Sequence, residues 1–138
     1  MEFQPYLFFG GNCREAFERY HEIFGGEKQI VTMADAPGDT PPGQEDVVIH
    51  AALMFDDGRI LMGSDDPISE DFGPVHGMMI SYDTGHDVDE VTRVFDLLAD
   101  GGEVTAPVEE TFFSPAFGML IDRFGTPWMV SARRPEDP

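Results

Sequence analysis

Positive charge is scarce in this chain. Eight lysines and arginines, only one of them lysine, stand against 27 aspartates and glutamates, giving a formal net charge of −19 over 138 residues. A surface of that sign repels phosphate backbones and anionic lipid, which argues against nucleic acid and membranes as partners. Cysteine is nearly absent as well: Cys13 stands alone, so no internal disulfide framework can form, and such usage fits a reducing compartment. No apolar run approaches the roughly 20 residues of a membrane span. The opening MEFQPYLFF has no basic n-region and too short an apolar run for a signal peptide, so a cytoplasmic location is expected. Also missing are a GxSxG nucleophile elbow, a GxxxxGKS/T phosphate cradle and a dinucleotide fingerprint after a strand. The charge leaves the substrate open, because a pocket can differ in sign from the outer surface. Its simplest role is solubility.

What is present is a globular composition, 41% hydrophobic and 12% aromatic, at a length suited to one domain spanning 1–138. Within it one grammar is written twice. From Tyr6 to Glu27, YLFFGGNCREAFERYHEIFGGE, a short apolar run stops at Gly10-Gly11, an amphipathic helix follows, and Gly25-Gly26 closes it. Later, Met78 to Tyr82, a second helical pattern and Gly101-Gly102-Glu103 repeat the order. The modules run over 1–66 and 75–134, equal in plan and different in loop length.

In the first module, aromatic-rich Phe3 to Phe9 predicts a strand. Asn12 with Glu15 predicts a capping box, and Ala16, Phe17, Tyr20, Ile23 and Phe24 recur at helical spacing. Lys28 to Met33 predicts a second strand. Ala34 to Asp46, with three prolines, two glycines and four carboxylates, reads as a loop, of the kind that serves as a lid or a contact arm. Val47 to Phe55 and Arg59 to Gly63 predict a hairpin about the turn Asp56-Asp57-Gly58. Ser64 to Pro74 reads as a polar linker.

The second module predicts a strand at Gly77 to Tyr82, then a helix opened by an Asp87 and Glu90 capping box with Val88, Val91, Val94, Phe95 and Leu98 on its apolar face. Glu103 to Val108 predicts a strand and Glu109 to Ser114 a loop carrying Phe112 and Phe113. Met119 to Ile121 and Pro127 to Ala132 form a last hairpin, and Arg133 to Pro138 reads as a frayed tail. The fold class is α+β: two tandem βαβββ modules forming a curved eight-stranded mixed sheet around a cleft, with the helices outside. Such a cleft is the natural ligand site.

This doubled plan resembles the vicinal oxygen chelate superfamily of glyoxalase I, extradiol dioxygenases and the bleomycin- and fosfomycin-resistance proteins. Within it the chain is most similar to the PhnB-like family, through PYLFFGGNCREAFERY, IHAALMF with ILMGSD, LLADGGEV and ETFFSPAFGMLIDRFGTPWMVS. The resemblance implies a homodimer. It also implies a divalent metal held by four side chains, one from the first and one from the last strand of each module, typically His or Glu. By strand position those places are Gln4, Met62, Gly77 and Met129. Glycine offers no ligand, and thioethers suit soft ions such as copper(I). Of the adjoining residues only His76 coordinates hard ions well, so no metal is expected. Some PhnB-like relatives bear names invoking a ubiquinone methyltransferase. Nothing here resembles a nucleotide-binding βαβ unit with a glycine loop, so methyl transfer is not expected.

His50, in VVIHAALMF, is the candidate catalytic residue, able to act as a general base or to bind an anion; its alternative role is a hydrogen-bonded structural histidine. Gln4, Tyr6 and Phe8 alternate onto one strand face and, with His50, Met62, Phe112, Phe113 and Met129, form the expected ligand-binding set. His50, His76 and Glu110 are a conceivable relocated metal site. Ser64, Asp65, Asp66, Asp122 and Arg123 read as turn chemistry, Cys13 as a small packed residue despite its place at a helix start, and Met54, Met79 and Met119 as core filler. Three functions remain open. The favoured one is a metal-free homodimeric binder of a small, partly planar organic molecule. The others are a lyase, isomerase or dioxygenase using a relocated metal or His50, and an interaction protein whose contact surface is the acidic loop Asp35 to Asp46.

Overall fold

The computed structural model describes residues 1–66 and 75–138. The chain divides into two compact units, Met1–Phe72 and Gly73–Pro138. In the first, β1 (Tyr6–Phe9) leads to α1 (Cys13–Phe24), β2 (Glu27–Thr32), a short 3-10 turn (Met33–Asp35), β3 (Val48–Met54) and β4 (Ile60–Asp65). Its four strands pair in the order β1-β4-β3-β2, with β1 parallel to β4 and the other ladders antiparallel. Helix α1 lies on one face of this sheet because Cys13, Ala16, Phe17, Tyr20 and Ile23 form one buried stripe. Ala51 and Leu53 of β3 are fully buried, as alternation requires of the strand face toward the helix. Phe17 and Tyr20 are wholly buried, each contributing about 2–3 kcal/mol over exposure. Gly63 permits the close approach: a Cβ there would stand 2.8 Å from the Leu7 carbonyl and 2.8 Å from the Phe17 ring.

The second unit repeats the plan with β5 (Ile80–Asp83), α2 (Val88–Ala99), β6 (Glu103–Glu109), β7 (Phe117–Ile121) and β8 (Pro127–Ser131) in the order β5-β8-β7-β6, again with its first and last strands parallel. Val91, Val94, Phe95 and Leu98 of α2 are buried, as are Leu120, Trp128 and Val130 on the sheet. The eight strands and two helices of the doubled βαβββ plan are therefore present, four strands to each sheet.

Several boundaries differ from expectation. β1 begins at Tyr6 and not at Phe3, because proline has no N–H to give a ladder; Pro5 only accepts, from the Met62 amide at 3.3 Å. β5 begins at Ile80 and not at Gly77, which turns with φ +76°. β4 continues through Ser64 and Asp65, both buried, where the sequence suggested a linker; residues 67–74 of that linker lie outside the described residues.

The expected Asn12 cap is replaced. Asn12 makes no side-chain capping bond; the Asp65 carboxylate accepts from the amides of Gly11 at 3.1 Å and Cys13 at 3.0 Å through one oxygen, and from Val48 at 3.0 Å through the other. One carboxylate thus joins the start of α1, the start of β3 and the end of β4. On α2 the Asp87 side chain does cap, accepting from Glu90 N–H at 3.0 Å, while the Glu90 carboxylate turns to Arg93 at 2.6 Å.

The acidic loop begins as a 3-10 turn. Asp35 accepts from the Thr32 amide and hydroxyl, which hold its carboxyl below the usual range, and Met33 N–H to Val47 O at 2.8 Å closes the loop at its base. The C-terminal residues are pinned where fraying was expected: Arg133 pairs with Asp83 at 3.2 Å and Arg134 donates to Thr111 O at 2.7 Å.

Candidate ligand site

The predicted residues fall into two groups, one on each sheet. In the first unit, alternation from Ala51 and Leu53 turns His50, Ala52 and Met54 to the face away from α1. A slip in register helps aim His50: Val31 pairs with His50 but Thr32 pairs with Val48, leaving Ile49 as an extra residue. Such bulges re-aim neighbouring side chains. Tyr6 is the register partner of Met62, and Phe8 of Ser64, so Tyr6, Phe8, Met62 and His50 share this face. The Tyr6 hydroxyl and His50 Nδ1 are 3.4 Å apart, with ring centroids at 6.0 Å, and the Phe8 ring stands 5.3 Å from that of Tyr6. Tyr6 is 39% and Phe8 58% exposed, so two aromatic rings and an imidazole are offered to solvent side by side. Gln4 is not among them: it precedes β1, is exposed, and donates to Glu2 at 3.2 Å.

In the second unit, Gly118 meets Phe95 of α2, so its neighbours Phe117 and Met119 turn to the opposite face, where Met129 is the register partner of Met119. Phe113 packs edge-on against Phe117 at 5.1 Å, and Phe112 against Phe113 at 5.2 Å. The loop bearing them is braced by Ser114, 2% exposed, which donates to the carbonyls of Ala116 and Ala132 and whose amide donates to the Thr111 hydroxyl at 3.0 Å. Glu110 is paired with Arg134 at 3.4 Å. The sequence did not single out Ser114; its signal is a small polar residue between aromatics at a strand entry, and that is weak.

Met54 and Met119 are corrected from core filler. Both are half-exposed and lie, with Met62 and Met129, on the sheet faces away from the helices. Thioether surfaces of this kind adapt to variable ligand shapes.

The register also revises the four places at which the superfamily holds its metal. The partners of Met62 and Met129 on the first strands are Tyr6 and Ser81, not Gln4 and Gly77. Neither the phenol and thioether of the first unit nor the alcohol and thioether of the second are donors suited to a hard divalent ion. Among the described residues no three His, Cys, Asp or Glu side chains converge as a metal site. The residues present do not fit the superfamily's metal.

Cys13 is fully buried, and burial, reinforced by the nearby Asp65 carboxylate and only partly opposed by Arg14, pushes its thiol up to about 12. It is no nucleophile. Asp122 is structural: its carboxylate accepts from the amides of Phe124 and Thr126 and from the Trp128 indole at 2.9 Å, while Arg123 lies over the Phe124 ring at 5.0 Å.

Two mixed four-stranded sheets, each with its first strand parallel to its last and one helix on one face, define the glyoxalase/bleomycin-resistance class of α+β proteins. A glyoxalase/bleomycin resistance/dioxygenase domain from Frankia shares the fold at 17% identity, with a TM-score of 0.65 over 99% of this chain and 94% of that one. More narrowly, the chain belongs to the family described as 3-demethylubiquinone-9 3-methyltransferase, the PhnB-like family, whose model matches residues 1–131. It is 37% identical to a protein of solved structure from Pseudomonas aeruginosa, with a TM-score of 0.87 over 97% of this chain and 98% of the other. A PhnB protein from Bacillus cereus, itself described as a putative 3-demethylubiquinone-9 3-methyltransferase, is 27% identical, with a TM-score of 0.77 over 96% and 99%.

Proposed function

We propose that this PhnB-like protein is a homodimeric, metal-independent binder of a small, partly planar organic molecule. The observation that carries this reading is the cluster of Tyr6, Phe8, His50 and Met62 on one exposed sheet face. Two rings supply flat apolar area at low entropic cost, the imidazole supplies a directional polar contact, and the thioether fills gaps. Phe113, Phe117 and Met129 offer a second surface of the same chemistry on the other sheet. The methyl transfer in the family's description is not part of this reading, because the chain has no glycine-looped nucleotide unit to hold a methyl donor. No helix among the described residues is long and apolar enough to cross a membrane, and we place the protein in the cytoplasm on the grounds of its lone cysteine and acidic surface.

The test is elemental analysis of protein purified without chelator, joined to sedimentation. Zinc, nickel, manganese and iron are expected well below one per chain, at a mass near twice the 15.3 kDa of one chain. Stoichiometric retention of any of these metals would overturn the metal-independent reading, and a sedimenting monomer the dimeric one.

A further inference from the structure

We infer that the Tyr6–His50 pair selects acids: the ligand of this face is a planar carboxylate or enolate, and its charged oxygens are received by the phenol and the imidazole. The inference rests on the binding role proposed above and adds the ligand's chemical class.

Tyr6 Oη and His50 Nδ1 are 3.4 Å apart, a loose contact joining two groups that can each donate or accept. If the phenol donates to Nδ1, the neutral imidazole carries its proton on Nε2 and presents N–H outward. If Nδ1–H donates to the phenol, the Tyr6 O–H is released to point elsewhere. Each arrangement leaves one donor for a ligand. With both ring nitrogens protonated, the pair presents two donors, Nε2–H and Tyr6 O–H, beside one positive charge. That matches the two oxygens of a carboxylate, or the single oxygen of an enolate. Charge-assisted bonds of this type are roughly twice as strong as neutral ones.

The surroundings favour the same class. In a chain with 27 acidic residues, strands β1, β3 and β4 contribute a single carboxylate, Asp65, and that one is 7% exposed and held by the amides of Gly11, Cys13 and Val48. The strand positions that flank His50 on the face away from α1 are Val31, Tyr6, Phe8, Ala52, Met62 and Ser64, none of them anionic. An incoming anion therefore meets no carboxylate at these positions, although the molecule as a whole carries −19; the strand carboxylate on this face, Glu27 of β2, is paired with Met54, at the other end of β3 from His50. The tilted Tyr6 and Phe8 rings, 5.3 Å apart, provide apolar area beside the polar pair for the flat body of the ligand.

The experiment compares benzoate with benzamide, which has nearly the same shape and no charge, on the full chain. Binding is read from the histidine ring and methionine methyl resonances, in wild type, Tyr6→Phe and His50→Gln. Both side chains are solvent-accessible, and circular dichroism checks that the variants remain folded. Benzoate is expected to bind about tenfold more tightly than benzamide, a difference of about 1.4 kcal/mol. Each substitution should bring the two probes close to parity by weakening benzoate far more than benzamide. Equal affinities in wild type, or a preference for benzoate that survives both substitutions, would overturn the acid selection and leave the planar-binder reading standing. If neither probe moves any signal up to its solubility limit, both readings fall together.

Discussion

Cys13 shows burial overruling position. A thiol at the first turn of a helix meets the positive end of the helix dipole, which favours the thiolate. Here the side chain is fully buried beside the Asp65 carboxylate, and its pKa rises to about 12 from an ordinary 9.0. The consequence for stability has a definite sign. Above pH 9 the unfolded chain loses the thiol proton and the native state keeps it, so stability contributed by Cys13 is full below pH 9 and drains away as pH rises toward 12. The loss is at most about 1.4 kcal/mol per pH unit. Burial also pushes the Tyr82 phenol up from an ordinary 10.0, which drains stability from both proteins at high pH, so urea unfolding across that window should show a steeper fall in wild type than in Cys13→Ala, and at pH 8 the native thiol should resist alkylation until the protein unfolds. Labelling of native protein at the rate of a free thiol would refute the account. The sequence suggested a packed cysteine, yet not the residue that holds its backbone. Asn12 and Glu15 spell a local capping box, but the acceptor that won is Asp65, 52 residues away from Cys13. A local signature is readable from spacing; a buried carboxylate delivered by a distant strand is not.

At the scale of elements, periodicity located both helices to within a residue or two, because a buried stripe at 3.6-residue spacing is hard to satisfy any other way. The strands were legible as apolar runs, while their onsets were overrun at Pro5 and Gly77, residues that stop a ladder without interrupting apolar character. The side of the sheet was the weakest reading: Met54 and Met119 looked like core and lie opposite the helices, since alternation says which residues share a face but not which face is covered. The contact between α1 and its sheet depends on Gly63, whose backbone is not in the left-handed region, so the demand for glycine there is steric. Gly63→Ala should cost about 1–3 kcal/mol, as overpacked cores do. Replacing the facing ring, Phe17→Leu, in that background should cost less than it does in wild type, because the added methyl then has room. Chemical denaturation of the four proteins measures this coupling; additive losses would mean that the clash with the Leu7 carbonyl, not with the ring, sets the cost.

For the whole molecule the governing fact is the imbalance of charge. Six of the seven arginines already stand in ion pairs, namely Arg14, Arg19, Arg59, Arg93, Arg133 and Arg134. The excess of 27 acidic over 8 basic groups therefore leaves 19 negative charges without a cation to match them. Exposed pairs contribute little, typically 0–1 kcal/mol each, and salt weakens them. Repulsion among the unmatched carboxylates acts over longer distances and is weakened too, as the screening length falls from about 10 Å at 0.1 M to about 3 Å at 1 M. The two effects oppose each other, and the many long-range repulsions should outweigh the few local attractions. The unfolding midpoint should thus rise between about 0.1 M and about 1 M sodium chloride. The same gain should appear when sodium chloride is exchanged for potassium chloride at equal ionic strength, because screening depends on valence and not on ion identity. A midpoint that falls with salt would place the arginine pairs, and not the unmatched acids, in control of stability. A gain confined to one cation would point to specific binding in place of screening.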